Sequence, residues 1–216
     1  MNKSLLKNEK RIIFLGDNKV GKTTILTQFT KNKFLTNYIP TIGVDNYIKE
    51  FKFDEKIINY CLWDTNGDEK TIQILPLNIY QSTDAFIIIC SYDSISSYQN
   101  IPDWINLIKK YSNKNNLILE NNNEDIPIFV LINKVDIKDK FFSRENVLHS
   151  VQTEYLNIQI VEISAKQYDN IENLFFTISK KLLGLKEDNN NELILKSQSS
   201  FLNYNEKKTI KCPKCC

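Results

Sequence analysis

The chain has 216 residues, 42% hydrophobic and 25% charged, with a formal net charge of +2. That is enough for one ordinary α/β domain with a tail, and the composition is globular. The net charge is too small to suggest nucleic acid as a general partner, and none is expected. The first eight residues lack the apolar core of a signal peptide, Asn2 stands where N-myristoylation needs Gly, and no run approaches a membrane span. The chain is therefore expected to be made and kept in the cytosol.

Residues 1–9 read as a flexible N-terminus. Residues 10–15 read as a strand through the apolar run Ile12-Ile13-Phe14-Leu15. Gly16-Asp17-Asn18-Lys19-Val20-Gly21-Lys22-Thr23 follows, and Thr24 begins a helix that ends near Lys31. Strand, G-x-x-x-x-G-K-T and helix in that order make a P-loop. Backbone N–H groups at the helix start cradle phosphate, Lys22 reaches the outer phosphates, and the Thr23 hydroxyl suits Mg²⁺. On the motif alone, a Gly-containing turn with a solvated Lys is the plainer alternative. The chain holds only 5 glycines, and four of them, Gly16, Gly21, Gly43 and Gly67, fall where a phosphate would approach the backbone.

Residues 34–41 read as a loop. Residues 45–53 and 57–63 flank Asp54-Glu55-Lys56 as a hairpin. Residues 64–81, with Gly67 and Pro76, read as irregular with one short helix. Residues 84–90 hold Phe86-Ile87-Ile88-Ile89, a strand covered on both faces. Trp104, Leu107, Ile108 and Tyr111 recur at helical spacing over residues 101–111. The Asn-rich residues 112–125 read as an exposed loop, long for its place. A strand at 126–132 and a helix from Ser143 follow, with Val147, Val151 and Tyr155 inward. A last strand at 158–163 precedes a last helix that Gly184 closes. The polar stretch beyond reads as a tether. Alternating strands and helices predict a mostly parallel sheet with helices on both faces, its ligand at the carboxyl ends of the strands.

Three further motifs fall on those ends. Asp64-Thr65-Asn66-Gly67 follows a strand, where Asp64 can hold a Mg²⁺ water and the Gly67 N–H can reach a terminal phosphate. Asn133-Lys134-Val135-Asp136 follows another. The Asp136 carboxylate can accept from N1–H and the 2-amino group of guanine, whereas adenine would leave it unpaired. Ser164-Ala165-Lys166 follows the last strand, with the Ala165 N–H toward the guanine oxygen.

With these motifs in this order, residues 10–184 resemble the Ras-like small GTPases. Ile42-Gly43-Val44-Asp45 after Thr41, Leu62-Trp63-Asp64-Thr65 and the terminal Cys215-Cys216 resemble the Rab branch. The resemblance implies a sheet of six strands, one antiparallel, with five helices around it, and binding of GTP and GDP with Mg²⁺. Nucleotide contacts would come from residues 16–24, Phe34, Thr41, Asp64, Gly67, Asn133, Lys134, Asp136, Ser164, Ala165 and Lys166. Thr23 and Thr41 would ligate Mg²⁺ directly and Asp64 through water, with Thr41 also sensing the γ-phosphate. Phe34 would stack edgewise on guanine, although a core aromatic reads equally well there. Residues 34–46 and 65–81 would be two switch regions. Effectors would read Tyr38, Ile39, Pro40, Thr41, Ile42, Gly43, Val44, Asp45 and Asn46. An exchange factor, an activating protein, a prenylation escort and a GDP-dissociation inhibitor would be further partners of a monomer. Residues 185–216 would be the hypervariable tail, with Cys215 and Cys216 as sites of two geranylgeranyl groups. Such a protein works on the cytoplasmic face of an intracellular membrane in vesicle transport and cycles through the cytosol.

Departures from the family pattern bear on chemistry. Asp68 stands where a Gln usually orients the attacking water, in Asp64-Thr65-Asn66-Gly67-Asp68-Glu69. A carboxylate only accepts hydrogen bonds and brings negative charge toward the γ-phosphate, so slow hydrolysis is expected. The alternatives are that Asp68 acts as a base for water, or that the chain is a guanine-nucleotide-binding membrane adaptor that hardly hydrolyses. Lys22 is the other catalytic candidate. An ATP-using P-loop kinase is disfavoured by Asp136. Asn46 and Thr71 remove apolar surface from the usual switch interface, Lys70 and Asn66 are also unusual, and Lys19 stands where a small residue is usual. Cys61 and Cys90 read as core residues. Cys212 and Cys215 lack a second pair for zinc. The lone His149 reads as a surface residue. Lys207, Lys208, Lys211 and Lys214 suit an anionic membrane or a solvated tail equally.

Overall fold

The apolar runs found along the chain assemble into one sheet in a computed structural model that describes residues 9–37, 39–68, 79–80, 82–112, 126–152 and 158–185. The elements are β1 (Glu9–Leu15), α1 (Lys22–Lys31), β2 (Val44–Phe53), β3 (Lys56–Thr65), β4 (Ala85–Ser91), α2 (Ile95–Gln99), α3 (Ile101–Ser112), β5 (Ile128–Asn133), α4 (Arg144–Gln152), β6 (Ile158–Glu162) and α5 (Tyr168–Leu182). The strand order is β2-β3-β1-β4-β5-β6. β2 runs antiparallel to β3, and all other neighbours pair in parallel. The expected six-stranded, mostly parallel sheet with helices on both faces is the observed architecture.

Alternation along the strands explains the two layers of core. Ile12, Phe14, Ile87 and Ile89 face α1 and α5, whereas Ile13, Leu15, Phe86 and Ile88 face α3 and α4. Every residue of β4 is buried, as the continuous apolar run requires of a strand covered on both sides. On the first side, Phe29 of α1 stacks on Phe175 of α5 with ring centroids 3.4 Å apart. This contact fixes the helix that follows the P-loop against the helix that closes the domain.

Several boundaries differ from the sequence expectations. β3 continues through Asp64 and Thr65, which read as irregular. They pair with Asp45 and Val44 of β2, and the Thr65 hydroxyl donates to the Phe14 carbonyl at 2.8 Å. β5 starts at Ile128 rather than Ile126, and α3 runs one residue longer, through Ser112. α2 was not anticipated, since five residues carry no readable apolar period; the Ser94 side chain caps it by accepting from the Ser97 N–H. Ser143 caps α4 instead of opening it: its hydroxyl accepts from the Asn146 N–H while its own N–H donates to Asn146 Oδ1. Val147 and Val151 are buried as expected, and His149 is exposed. Gly184 ends α5 at φ 64, with the Leu185 N–H on the Lys180 carbonyl. Cys90 is buried, but Cys61 is only half-buried, because its side of β3 lies opposite the α1–α5 core. Tyr38, Tyr155, residues 69–78, the loop 113–125 and the tail from 186 lie outside the described residues. No described helix is long and apolar enough to cross a membrane.

Candidate functional site

β1, β3, β5 and β6 end on the same edge of the sheet, and the segments that follow them close around one cleft of about 510 Å³. Asn18, Lys19, Gly21, Lys22, Thr23 and Thr24 line it from the P-loop. Phe34 and Thr41 line it from the segment before β2, and Gly67 from that after β3. Asn133 lines it from the end of β5, and Lys134, Asp136, Ala165 and Lys166 from the segments after β5 and β6. Of the residues assigned to the nucleotide from sequence, Gly16, Asp17, Val20, Asp64 and Ser164 stand behind this lining. Phe34 serves both readings, since it lines the cleft and packs on the α1–α5 core.

The P-loop is held in shape from three directions. Gly21 has φ 102, and a Cβ there would lie 2.3 Å from Asn133 Nδ2, so only glycine fits. Asn133 in turn donates to the Val20 carbonyl at 2.8 Å and accepts from the Ala165 N–H at 3.1 Å, joining the P-loop to the segment after β6. Lys134 donates to the Lys19 carbonyl at 2.9 Å and to Asp93 at 2.7 Å. Lys19 itself adopts φ 66, and its side chain is exposed. Asp17 turns away from the cleft, accepting from Asn100 Nδ2 at 2.9 Å and from Trp104 Nε1 at 3.0 Å.

Lys22 is 5% exposed and donates to the carbonyls of Gly16 and Asp17. Burial lowers its pKa to about 8, opposed by the nearby Asp64 and Asp17 charges. Asp64 is fully buried at the end of β3. Its Oδ2 accepts from the hydroxyls of Thr23 at 2.6 Å and Thr41 at 3.2 Å, and those hydroxyls lie 2.8 Å apart. Its Oδ1 is buried without a hydrogen-bond partner among the described residues. Burial raises the Asp64 pKa, and the Thr23 bond and the Lys22 charge work against that. Two hydroxyls around one carboxylate with an unsatisfied oxygen form an oxygen-only set that fits Mg²⁺, an ion that takes few protein ligands and completes its shell with water and phosphate. No group of three or more His, Cys, Asp or Glu side chains among the described residues offers another metal site.

At the other end of the cleft, Asp136 Oδ1 accepts from Ser164 Oγ at 2.6 Å and Oδ2 pairs with Lys166 Nζ at 2.8 Å. Burial opposes its ionisation, but the bonds from Lys166 and Ser164 hold its pKa below the ordinary carboxylate range. A permanently ionised acceptor here suits a partner with two adjacent N–H donors.

Before β2 the chain presents apolar side chains to solvent. Ile39 is 79% exposed and Ile42 93%, with Pro40, Gly43, Asp45 and Asn46 also exposed and Val44 half-buried. Ile48 continues this face at 79%. Asn46 donates to Cys61 Sγ at 3.2 Å, so the unusual polar residue is satisfied within the β2–β3 ladder. Asp68 is exposed beside Gly67 and donates its N–H to Asn66. Cys215 and Cys216 lie outside the described residues.

The sequence reading missed the residues that act from behind the cleft. Asn100 and Trp104 hold Asp17, and Asp93 holds Lys134. Asn18, which lines the cleft and was assigned to the nucleotide, also holds Gly67 through a bond from the Gly67 N–H to its Oδ1 at 3.1 Å. A signal existed for Trp104: a buried indole N–H needs an acceptor, and Asn100 lies one helical turn earlier on the same face.

The profile described as the Ras family matches residues 11–184. The chain is similar to the Ras-related protein Rab7 of Pisum sativum, 31% identical over 205 residues that cover 94% of this chain and 95% of that one. It is also similar to the Ypt/Rab-type GTPase ypt7 of Schizosaccharomyces pombe, 30% identical with 82% and 83% covered. The GTP-binding protein ypt1 of the same yeast is 30% identical with 80% and 79% covered.

Proposed function

The chain belongs to the Ras family of small GTPases and is of the Rab type, and on that footing we propose that it is a GTP-dependent switch on intracellular membranes that recruits effectors in vesicle transport. The carrying observation is that one cleft joins Lys22 and the Thr23–Thr41–Asp64 cluster at one end to the Asp136 carboxylate at the other. Phosphates meet the P-loop N–H groups and Lys22, where the helix dipole of α1 adds positive potential. Guanine donates N1–H and its 2-amino group to Asp136, which gives up the Ser164 and Lys166 bonds in part. The guanine oxygen shares the Ala165 N–H with Asn133. The Thr23 and Thr41 hydroxyls, with Asp64 through water, would hold Mg²⁺, which would supply positive charge to the phosphates. Thr41 and Gly67 sense the γ-phosphate, and Ile39, Ile42 and Ile48 form the apolar part of the surface that effectors read.

The reaction is attack of water on the γ-phosphate. Asp68 cannot donate to a phosphate oxygen as an amide does, so intrinsic turnover falls below the roughly 10⁻⁴ s⁻¹ of the family. The same residue favours a second reading, a long-lived guanine-nucleotide-dependent adaptor with negligible hydrolysis. Nucleotide analysis of the purified protein, followed by single-turnover hydrolysis with and without cell lysate, separates the two. The Asp68→Gln variant should hydrolyse GTP at least about tenfold faster than wild type, in the range that one transition-state hydrogen bond supplies. An unchanged or slower rate removes the role given to Asp68, and bound ATP in place of GTP or GDP removes the whole reading.

A further inference from the structure

Gly67 is pressed against the P-loop. A Cβ on it would lie 2.1 Å from the backbone nitrogen of Asn18 and 2.4 Å from the carbonyl carbon of Asp17. In that position its N–H donates to the Asn18 carboxamide, N to Oδ1 3.1 Å. The preceding N–H, of Asn66, donates to the Gly43 carbonyl at 3.1 Å, so the segment after β3 is tied both to the P-loop and to the segment before β2. Under the reading above, the Gly67 N–H is also the group that answers the γ-phosphate. One N–H carries one hydrogen, so the two acceptors compete for it.

We infer that Asn18 determines how sharply this chain distinguishes GTP from GDP: its carboxamide stands in for the γ-phosphate as the acceptor for the Gly67 N–H, keeping the start of the second switch docked on the P-loop in the GDP form. The inference rests on the guanine-nucleotide reading. A ligand shifts a conformational equilibrium only by its difference in affinity for the two states. A phosphate oxygen is the stronger acceptor because it is charged, so GTP still displaces Asn18. What GTP gains through Gly67 is only the difference between the two bonds. Removing the carboxamide leaves the N–H to water in the GDP form and restores the full gain. Contacts of Asn18 with the phosphates common to both nucleotides cancel in the ratio of their affinities, and exchange of the Gly67 amide in the GDP form reads the competition directly.

The test uses the scarcity of glycine. Asn66 is the only asparagine directly before a glycine, so ¹⁵N-glycine with ¹³C-carbonyl-asparagine labelling picks out the Gly67 amide among 5. In the full-length GDP-bound protein the Gly67 amide should be protected from exchange with water, and protected again with a non-hydrolysable GTP analogue. In Asn18→Ala loaded with GDP its resonance should move and its exchange accelerate about tenfold or more, as an exposed amide does. The affinity ratio of GTP analogue to GDP should rise about fivefold, the worth of one ordinary hydrogen bond. Asn18→Gly, which also lacks the acceptor, should behave like Asn18→Ala and guards against a misfolded variant. A Gly67 amide that exchanges freely in the wild-type GDP form overturns the inference, as does an unchanged affinity ratio in both variants. A chain that binds no guanine nucleotide overturns the underlying reading and this inference with it; one that binds GDP with Gly67 unprotected overturns the inference alone.

Discussion

Lys22 is a cation built into a nearly dry place, and the cost of that is visible as pH dependence. A lysine whose pKa falls from 10.5 to about 8 on folding binds fewer protons folded than unfolded. Its neutral form favours the fold, so its contribution to stability is fully present above 10.5 and is lost as pH falls through 8. Urea unfolding of the nucleotide-free chain should therefore show stability rising from pH 7.5 to 10, by about 3 kcal/mol at most from this group. Nucleotide affinity should move the opposite way, weakening by up to about tenfold per pH unit above 8 as the ammonium that meets the phosphates deprotonates. In Lys22→Met both trends should shrink, and their persistence would assign them to other groups. The motif marked Lys22 as a phosphate ligand. That the site charges it against burial depends on Asp64, brought from the end of β3 to join Asp17 and the carbonyls of Gly16 and Asp17 in the P-loop itself.

At the scale of elements, the P-loop is not held by its own helix alone. α3 reaches it through Trp104, and the turn between α2 and α3 through Asn100, both on the Asp17 carboxylate. Trp104 is 1% exposed and belongs to the core beside α3, so one side chain serves packing and positioning together. Trp104→Phe keeps most of the apolar contact and removes the indole donor. The carboxylate left short of a partner should cost about 1–3 kcal/mol, read as GDP dissociation accelerated severalfold or more. Trp104→Phe added to Asp17→Ala should accelerate it little further, because without the carboxylate the indole has no bond to Asp17 left to lose; additive effects would show that the two residues act separately. Strand identity was legible from apolar runs, as in β4, and helix identity from period, as in α3. The extension of β3 through Asp64 was not, because two polar residues join a strand only when a partner such as β2 supplies the ladder. α2 was not legible either, since its helix rests on the Ser94 cap rather than on a buried face.

For the whole molecule, the sheet works as a bench whose carboxyl edge carries the site, while the C-terminus is the part expected to meet the membrane. Mass spectrometry of the protein from its own cells should find two prenyl groups, on Cys215 and Cys216, the pair that stable anchoring requires. An unmodified C-terminus would remove the membrane assignment and leave a soluble switch. By itself the sequence marked the residues of the proposed nucleotide chemistry, because most of them stand in short contiguous strings at strand ends: Lys22 and Thr23 for phosphate, Asp136 for guanine and Gly67 for the γ-phosphate, with Thr41 added by the family resemblance. It also marked Asp68 as the place where that chemistry departs from the family. Only the tertiary structure decided which side chains hold those strings in place. Asn18 on Gly67, Trp104 on Asp17 and Asp93 on Lys134 lie 49, 87 and 41 residues apart. Hydrogen bonds between such residues exist only once the parallel sheet has brought the strand ends together, so no local pattern announces them.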